Sequence, residues 1–574
     1  MLESPYSIKI GGIMITFNYL LNELKRHRKK VLLANLLAIF STLIYVSIPL
    51  FIPHLVDEVL LDKQGALLPF LSHLFVFDAK EYYILIVFVL MLLLRGVHVW
   101  LIIMQKALSN QVVEDIRFDL RKYLLDHLTK VSMSEYDRLG SGSISSKMMT
   151  DIASVIKFLS GSIGNIAVQV FTLIGIGLVL LYLNWQLALI ILILNPLVIK
   201  LFIKAFKKVS KVMKTRNRAI GNFTNSLTES LELFNQIRVQ NREEHFANKV
   251  NQDAWEIRQS SYQLELDSSK SINGSRLFVT YANDLFKMVA LYWVFLGEMS
   301  IGEMLAIFLY ATMIIPPIHM IMKFVQDYHD AKEAMDRLND ILRLKKEPYY
   351  PMKIDPFSHQ EGVSIELRGV SFGYDEHHEV FKDFNLSIAS GEKIAITGET
   401  GSGKSTLANL IMGLYAPSQG EIYYNGVEIK QIGYQHIREH IGVVLQAPLM
   451  FNASLRYNLS LGKSYRDDEI YEVLKIAQLY DFVMGLSQGL DTIVGKNGTK
   501  LSGGQRQRLS IARVLLDHPK VLIFDESTSS LDVDTEDRLL EGLESYIRHK
   551  TVITIAHRQS TIDRADRVIT LSAK

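Results

Sequence analysis

The sequence predicts two domains of different class: an all-α transmembrane domain of six helices over residues 1–340, then an α/β domain over 360–574, with a linker at 341–359. Three observations predict it. The first half holds apolar stretches of membrane-spanning length, in a chain whose apolar residues reach 49% with a positive mean hydropathy, which is high for a soluble protein. Between these stretches run long polar segments almost free of Gly and Pro. Beyond "KKEPYYP" (345–351), short apolar runs such as "KIAITG", "VLIFD" and "TVITIAH" alternate with amphipathic stretches, the period of an α/β fold.

A spanning helix needs about 20 predominantly apolar residues. Stretches at roughly 31–53, 82–104, 162–183, 187–208 and 302–325 meet this directly, and a weaker one at 275–297 is interrupted by Asn283, Asp284 and Lys287. The basic run "KRHRKK" (25–30) ahead of the first span places the N-terminus in the cytoplasm. The C-terminal half carries "GETGSGKST" (398–406), a phosphate-loop pattern that needs cytosolic nucleotide, so the number of crossings is even and the weak span counts as the sixth. The connections agree: Asp57, Glu58, Asp62, Asp78 and Glu81 bias one short outer segment toward acid, whereas two inner connections of about sixty residues are rich in Lys and Arg. From Val97 to Leu139 there is neither Gly nor Pro, and from Leu197 to Asn273 one Gly and no Pro, so long helices are expected to leave the membrane and continue into the cytoplasm. The apolar stretch after the basic run is too long for a cleavable signal and lacks a small-residue cleavage site.

Composition removes several functions. Lys and Arg total 62 against 60 Asp and Glu, for a formal net charge of +2, so a nucleic-acid partner receives no support. The chain has no cysteine, which removes disulfides, thiolate metal sites and a cysteine nucleophile.

The chemistry lies in the α/β domain. "KIAITGETGSGKST" (393–406) is an apolar strand, a glycine-rich loop and a helix start, the pattern of a P-loop NTPase. Gly398, Glu399, Thr400, Gly401, Ser402 and Gly403 would wrap a triphosphate with backbone N–H groups, Lys404 would reach its β- and γ-phosphates, and Ser405, followed by Thr406, would offer a hydroxyl to Mg2+. "VLIFDE" (521–526) ends a second apolar strand in two acids. Asp525 suits Mg2+ coordination, and Glu526 suits positioning or deprotonating an attacking water. "KLSGGQRQRLSIAR" (500–513) supplies a second set of phosphate-binding parts, a serine and two bare glycines opening a helix.

Together these residues identify a resemblance. The C-terminal third is similar to the nucleotide-binding domain of an ABC transporter, and the whole chain resembles a half-size exporter of the ABC-B type, with a type IV exporter-like membrane domain. Beside the P-loop and "VLIFDE" stand "LSGGQ" (501–505), the family signature, "FGY", "VVLQAP", "SLD" (530–532) and "IAHR". The resemblance implies that Tyr374 stacks on adenine, that Gln446 is the Q-loop glutamine and a third Mg2+ contact, that His557 is the switch histidine, and that Glu526 and His557 are catalytic. It also implies a homodimer packed head to tail, in which Ser502, Gly503, Gly504 and Gln505 of one chain cap the ATP held by the other. Breaks at "SEYDRLGSGS" (134–143) and "NSLTESLELFNQ" (225–236) fall where the family carries coupling helices. One departure is Lys496, where the family often has glutamate ahead of the signature.

The expected function is ATP-driven export by alternating access, in a bacterial inner membrane whose lipids are partners, of an amphipathic substrate that is either a lipid or glycolipid or a hydrophobic drug. An importer built on the exporter fold and a nucleotide-sensing membrane protein without turnover are the alternatives. Charges inside spans are the local guide to cargo: Arg95 and His98 in the second, Asp284 and Lys287 in the fifth, His319 and Lys323 in the sixth after Pro316 and Pro317. These are candidates for a substrate cavity, with mutual neutralisation as the competing reading.

Overall fold

The computed structural model describes residues 14–63, 65, 69, 81–161, 165–358, 361–374, 379–525, 533–556 and 558–572. Its backbone divides into two compact units. One holds residues 1–126 and 142–343; the other holds 344–574 together with residues 127–141, which lie inside the sequence of the first.

The first unit is helical. Thr16 caps the helix Phe17–Arg26 by accepting from the Tyr19 N–H. The chain ahead of it is tied down by a reciprocal pair, Ile15 N–H to Asn339 Oδ1 at 2.8 Å and Asn339 Nδ2 to the Ile15 carbonyl at 2.9 Å. Helix Arg28–Ser47 follows, and then Glu81–Leu128, a single run of 48 residues. At 1.5 Å per residue such a helix is about 70 Å long, more than twice a hydrocarbon core of about 30 Å. Helices Trp185–Glu232 and Glu243–Phe295, of 48 and 53 residues, repeat this overlength. Among the described residues, four helical stretches are long and apolar enough to span: Arg28–Leu60, Tyr82–Leu128, Ile166–Leu183 and Ile301–Leu342. The stretches expected at 187–208 and 275–297 fall on the two overlong helices, and residues 162–164 of the third expected span lie outside the described residues.

Turns between spans have local causes. Asn184 caps Trp185–Glu232 through its Oδ1, which accepts from Leu187 N–H at 3.0 Å. Ser300 and Glu303 form a reciprocal capping box at Ile301–Met313. Asp57 accepts from Ser300 Oγ at 2.5 Å and from Gly302 N–H at 3.3 Å. A Cβ on Gly302 would lie 2.7 Å from the Pro53 backbone, so only glycine permits this approach. Ile301–Met313 gives way to Ile315–Leu342 at Pro316 and Pro317, which cannot supply the N–H groups a continuous helix needs.

The long inner connections are interrupted at two places. A short helix, Met133–Leu139, is closed by Gly140 at φ 76°. A second, Phe234–Val239, follows the end of the preceding helix at Glu232, so this break lies downstream of most of the expected 225–236 segment. Residues 225–232 contain no helix breaker, and the turn is made instead by Asn241 at φ 49°, a residue type that tolerates the left-handed region.

Among the described residues, the second unit contains two sheets. Strands β1 (Ile365–Gly373), β2 (Glu379–Ile388), β4 (Gln419–Tyr424) and β5 (Val427–Glu428) form an antiparallel sheet in the order β2-β1-β4-β5. Strands β3 (Lys393–Gly398), β6 (Ile441–Val444), β7 (Val521–Asp525), β8 (Thr551–Ile555) and β9 (Arg567–Leu571) form a parallel one in the order β6-β7-β8-β3-β9. A parallel sheet is covered on both faces, which explains why β7 is apolar at every position before Asp525. Val521 and Ile523 pack on one side with Leu407, Leu410 and Ile411; Leu522 and Phe524 pack on the other with Leu509, Ala512 and Leu515.

Candidate functional site: a phosphate loop and a signature helix on opposite faces of one sheet

The phosphate loop joins the end of β3 to helix Lys404–Ile411, the strand end at which open α/β sheets bind ligands. Gly398, Gly401 and Gly403 have φ of 145°, 87° and 90°. Space is also short: a Cβ on Gly398 would stand 2.3 Å from the Leu571 carbonyl oxygen, and one on Gly403 2.7 Å from Val380 Cγ1. Lys404 is buried and donates from Nζ to the carbonyls of Gly398 (2.9 Å) and Glu399 (2.8 Å), which arches the loop around its ammonium. Thr400 and Gly401 are exposed at the crest. The buried Ser402 hydroxyl has no hydrogen-bond partner among the described residues, an orphan that an entering phosphate oxygen would satisfy.

Ser405 and Asp525, far apart in sequence, are brought together: Ser405 Oγ donates to Asp525 Oδ2 at 3.1 Å. A hydroxyl and a carboxylate are the hard oxygen donors that Mg2+ takes, so this pair fits the ion. Gln446 is exposed two residues beyond the end of β6. Because Val444 is in register with Phe524, that strand end lies alongside the one that carries Asp525. Tyr374 follows β1, with its hydroxyl 3.0 Å from Thr406 Oγ1. Phe372 and Tyr415 meet its ring edge-on at 5.2 and 5.6 Å, and it remains 53% exposed, so an aromatic surface is presented beside the loop. Glu526, the segment Ser530–Asp532 and His557 lie outside the described residues.

Ser502 caps helix Gly503–Leu516: its Oγ accepts from Gln505 N–H at 3.2 Å, and its own N–H donates to Gln505 Oε1 at 2.8 Å. This box fixes the helix N-terminus, leaving the Gly503 and Gly504 N–H groups to point beyond the first turn. Ahead of it, Lys496 is exposed in a short turn, and Gly498 at φ 70° packs on Arg506 and Met450. The signature helix and the phosphate-loop helix belong to opposite faces of the parallel sheet, as the alternation along β7 shows.

Two family profiles match. The one described as ABC transporter covers residues 381–529, and the one described as ABC transporter transmembrane region covers residues 31–318. The chain belongs to the ABC transporter family. Similar proteins include the uncharacterized ABC transporter ATP-binding protein YwjA of Bacillus subtilis strain 168, 34% identical over 80% of each chain. The ATP-dependent lipid A-core flippase of Alcanivorax borkumensis is 31% identical over 80% of this chain and 79% of its own. The putative multidrug export protein YgaD of Bacillus subtilis is 28% identical over 95% and 93%. Among solved structures, a bacterial Atm1-family ABC exporter with ATP bound superposes with a TM-score of 0.77 at 25% identity, covering 96% of this chain and 93% of that one. The protein is an ATP-hydrolysing membrane transporter of exporter architecture.

In this ABC transporter, residues 127–141 form part of the ATPase unit. Val131 bridges to Lys346, Ser132 N–H donates to the Lys345 carbonyl at 3.0 Å, and Glu347 N–H donates to the Lys130 carbonyl at 2.8 Å. Tyr415 Oη donates to Asp137 Oδ2 at 2.6 Å. Tyr415 also touches Tyr374, so a side chain of the first inner connection is two contacts from the aromatic surface beside the phosphate loop. The sequence marked the break around Asp137, but nothing in it pointed to Tyr415.

The six charged candidates in the transporter's spans have separate surroundings. His98 Nδ1 lies 2.9 Å from both the hydroxyl and the carbonyl of Ser41, and its ring stacks on Tyr45 at 5.0 Å, which ties the first span to the second. Lys287 pairs with Asp284 at 3.4 Å. Arg95 and His319 are exposed. Lys323 lines a cavity of about 410 Å³ with Arg117, Lys157, Asn165 and Asp327, and the other five candidates do not line it.

Proposed function

We propose that two copies of this chain pair head to tail, so that ATP held by the phosphate loop and Tyr374 of one is capped by Ser502, Gly503 and Gly504 of the other. The observation that carries this reading is the placement of the two phosphate-binding elements on opposite faces of one sheet, where a single chain cannot close both on one nucleotide. Mg2+ held by Ser405 and Asp525, with Gln446 beside them, would neutralise phosphate charge. Glu526 would orient the water that attacks the γ-phosphorus and accept its proton as the bond to the bridging oxygen breaks, with His557 at the γ-phosphate. Closure then depends on an intact triphosphate, and hydrolysis releases it.

The cargo in this proposal is an amphipathic anion, such as a lipid or glycolipid with a phosphate headgroup, moved outward across a bacterial inner membrane by alternating access. In the cavity that Lys323 lines, Lys157 is paired with Asp327 at 2.7 Å and Arg117 with Glu114 at 2.8 Å, which leaves the Lys323 ammonium to meet an anion. Relatives named as lipid A-core flippases support this reading; relatives named for multidrug export support a second, efflux of hydrophobic drugs. ATPase rate in lipid nanodiscs, titrated with an anionic glycolipid and separately with cationic amphipathic drugs, decides between them. Saturable stimulation by the glycolipid that Lys323→Gln weakens supports the lipid reading. Stimulation by the drugs alone overturns it.

A further inference from the structure

A cluster of side chains unrelated to the nucleotide chemistry sits on the short helix Tyr434–His440, just ahead of β6. One ligand atom each from His436, Glu439 and His440 lie within 4.8 Å of one another. His436 and His440 are four residues apart, on one helix face, with ring centroids 4.6 Å apart. The ring nitrogens are already sorted by their partners. His440 Nδ1 lies 2.9 Å from the His436 carbonyl oxygen, which can only accept, so Nδ1 carries the hydrogen and Nε2 of the neutral ring keeps its lone pair. His436 Nε2 lies 3.0 Å from Asp355 Oδ1 and donates to it, so Nδ1 of the neutral ring keeps its lone pair. That Nδ1 faces Glu439 Oε2 at 3.1 Å. Two lone-pair atoms at this distance repel unless a proton or a cation lies between them.

A proton would satisfy His436 and Glu439 alone, whereas a ring nitrogen of His440 also lies within 4.8 Å of a ligand atom of each. A metal ion accounts for all three. The surroundings also match what metal-binding imidazoles require: each donates its other N–H to a carboxylate or a backbone carbonyl, which fixes tautomer and ring orientation. Phe357, fully buried, stacks on the His440 ring at 4.4 Å and 6° and meets His436 at 5.6 Å, holding both imidazoles in place. Glu439 is exposed, with its carboxylate 3.1 Å from His436 Nδ1. Two imidazoles, one carboxylate and an open position to solvent suit a borderline divalent ion in tetrahedral geometry, and not Mg2+, which prefers oxygen ligands.

We propose that His436, Glu439 and His440 bind a zinc-like divalent cation, with Asp355 as the positioning residue, and that occupancy fastens residues 353–357 to the helix that leads through β6 to Gln446. The connections for such an effect are in place. Lys353 N–H donates to the Gln431 carbonyl at 2.8 Å, and Phe357 N–H to Asp355 Oδ1 at 2.9 Å. On the same helix, Arg438 grips the Glu347 carboxylate with both terminal nitrogens at 2.7 and 2.8 Å. A cation here would tighten the path by which the chain enters the ATPase unit, and the helix it sits on runs straight into the strand before Gln446.

The test uses the full-length protein, free of any affinity tag, in nanodiscs without nucleotide and with excess Mg2+ present. Titration with Co2+ is expected to give the visible ligand-field bands of a tetrahedral N/O site at one equivalent per chain, displaced by Zn2+. His440→Gln should abolish the bands, exposed Glu439→Gln should weaken binding, and Asp355→Asn should weaken it about 10–100-fold while the band shape is kept. His245→Gln, on a remote helix, should leave binding unchanged. Buffered free Zn2+ should then change the Mg-ATP hydrolysis rate of the parent and not of His440→Gln. Absence of a stoichiometric site in the parent, or an unchanged site in both His440→Gln and Glu439→Gln, overturns the metal assignment. Zn2+ binding with no change in ATPase rate overturns the link to Gln446.

Discussion

The Tyr415 hydroxyl reaches the Asp137 carboxylate at 2.6 Å across 278 residues of sequence, and the same ring leans on Tyr374 beside the phosphate loop. One tyrosine therefore touches both Tyr374 and a segment that lies, in sequence, between two helices of the first unit. Tyr415→Phe and Asp137→Asn should each reduce transport per ATP hydrolysed, and the double variant should be little worse than either single one. A hydrogen bond to a charged group contributes about 1.5–3 kcal/mol when well buried, and less here because Asp137 is exposed. A coupling of about 1 kcal/mol in the double-mutant cycle, roughly fivefold in rate, is expected; full additivity would show that the contact transmits nothing.

The same contact makes a statement about pH. Burial first, and then the Asp137 carboxylate, push the Tyr415 phenol above its ordinary value of 10.0. A raised pKa means that the bond's contribution is whole below the unfolded value near 10 and is lost only as pH rises through the still higher folded one. The Tyr415→Phe defect should thus be equal at pH 6.5 and pH 8.5, measured as transport per ATP. A defect that disappears at pH 8.5 would contradict the assigned protonation.

Two glycines of the phosphate loop should differ in their tolerance of alanine. Gly401 and Gly403 both have positive φ, so each alanine carries about 1–2 kcal/mol of backbone strain. At Gly401 an added Cβ meets nothing within 4 Å, whereas at Gly403 it meets Val380 and Phe381 inside 3.0 Å. ATP Kd should rise more in Gly403→Ala than in Gly401→Ala, by at least a further factor of about five given the cost of overpacking. Equal losses would mean that strand β2 moves aside freely.

Ser405→Ala and Asp525→Asn should raise the Mg2+ concentration for half-maximal ATPase about tenfold or more. ATP binding measured in EDTA should change much less. A Mg2+ requirement unaltered in both variants would remove these residues from the ion's shell.

Glu526→Gln should retain ATP binding and lose about 10²–10⁴-fold in turnover, the usual contribution of a positioned general base. Hydrolysis at the parent rate would assign the proton transfer to another group.

Much of this architecture is written in composition and spacing. The glycines at 398, 401 and 403 announce a backbone of positive φ that glycine adopts without strain, and the Ser502 to Gln505 spacing is a capping box readable before any coordinates. Residues 191–194, in the fourth expected span, read as apolar without knowledge of packing. The second break in the inner helices is poorly marked in sequence, because a polar stretch without Gly or Pro marks no single turning residue; Asn241, at φ 49°, is the one weak signal. The Tyr415 to Asp137 bond and the setting of His436 by Asp355 depend on chain paths that bring distant segments together, and no local pattern encodes such a meeting. Opposite faces of β7, by contrast, follow from simple alternation once the strand is recognised.

Residues 127–141 belong by sequence to one module and by packing to the other, and this has a consequence for how such a protein can be recombined. A cut at 343 that looks clean on paper would strip the ATPase unit of the partner of Tyr415 and of the backbone that pairs with Lys345, Lys346 and Glu347. A chimera that exchanges membrane halves between relatives therefore has to graft this fifteen-residue insert along with the motor it serves.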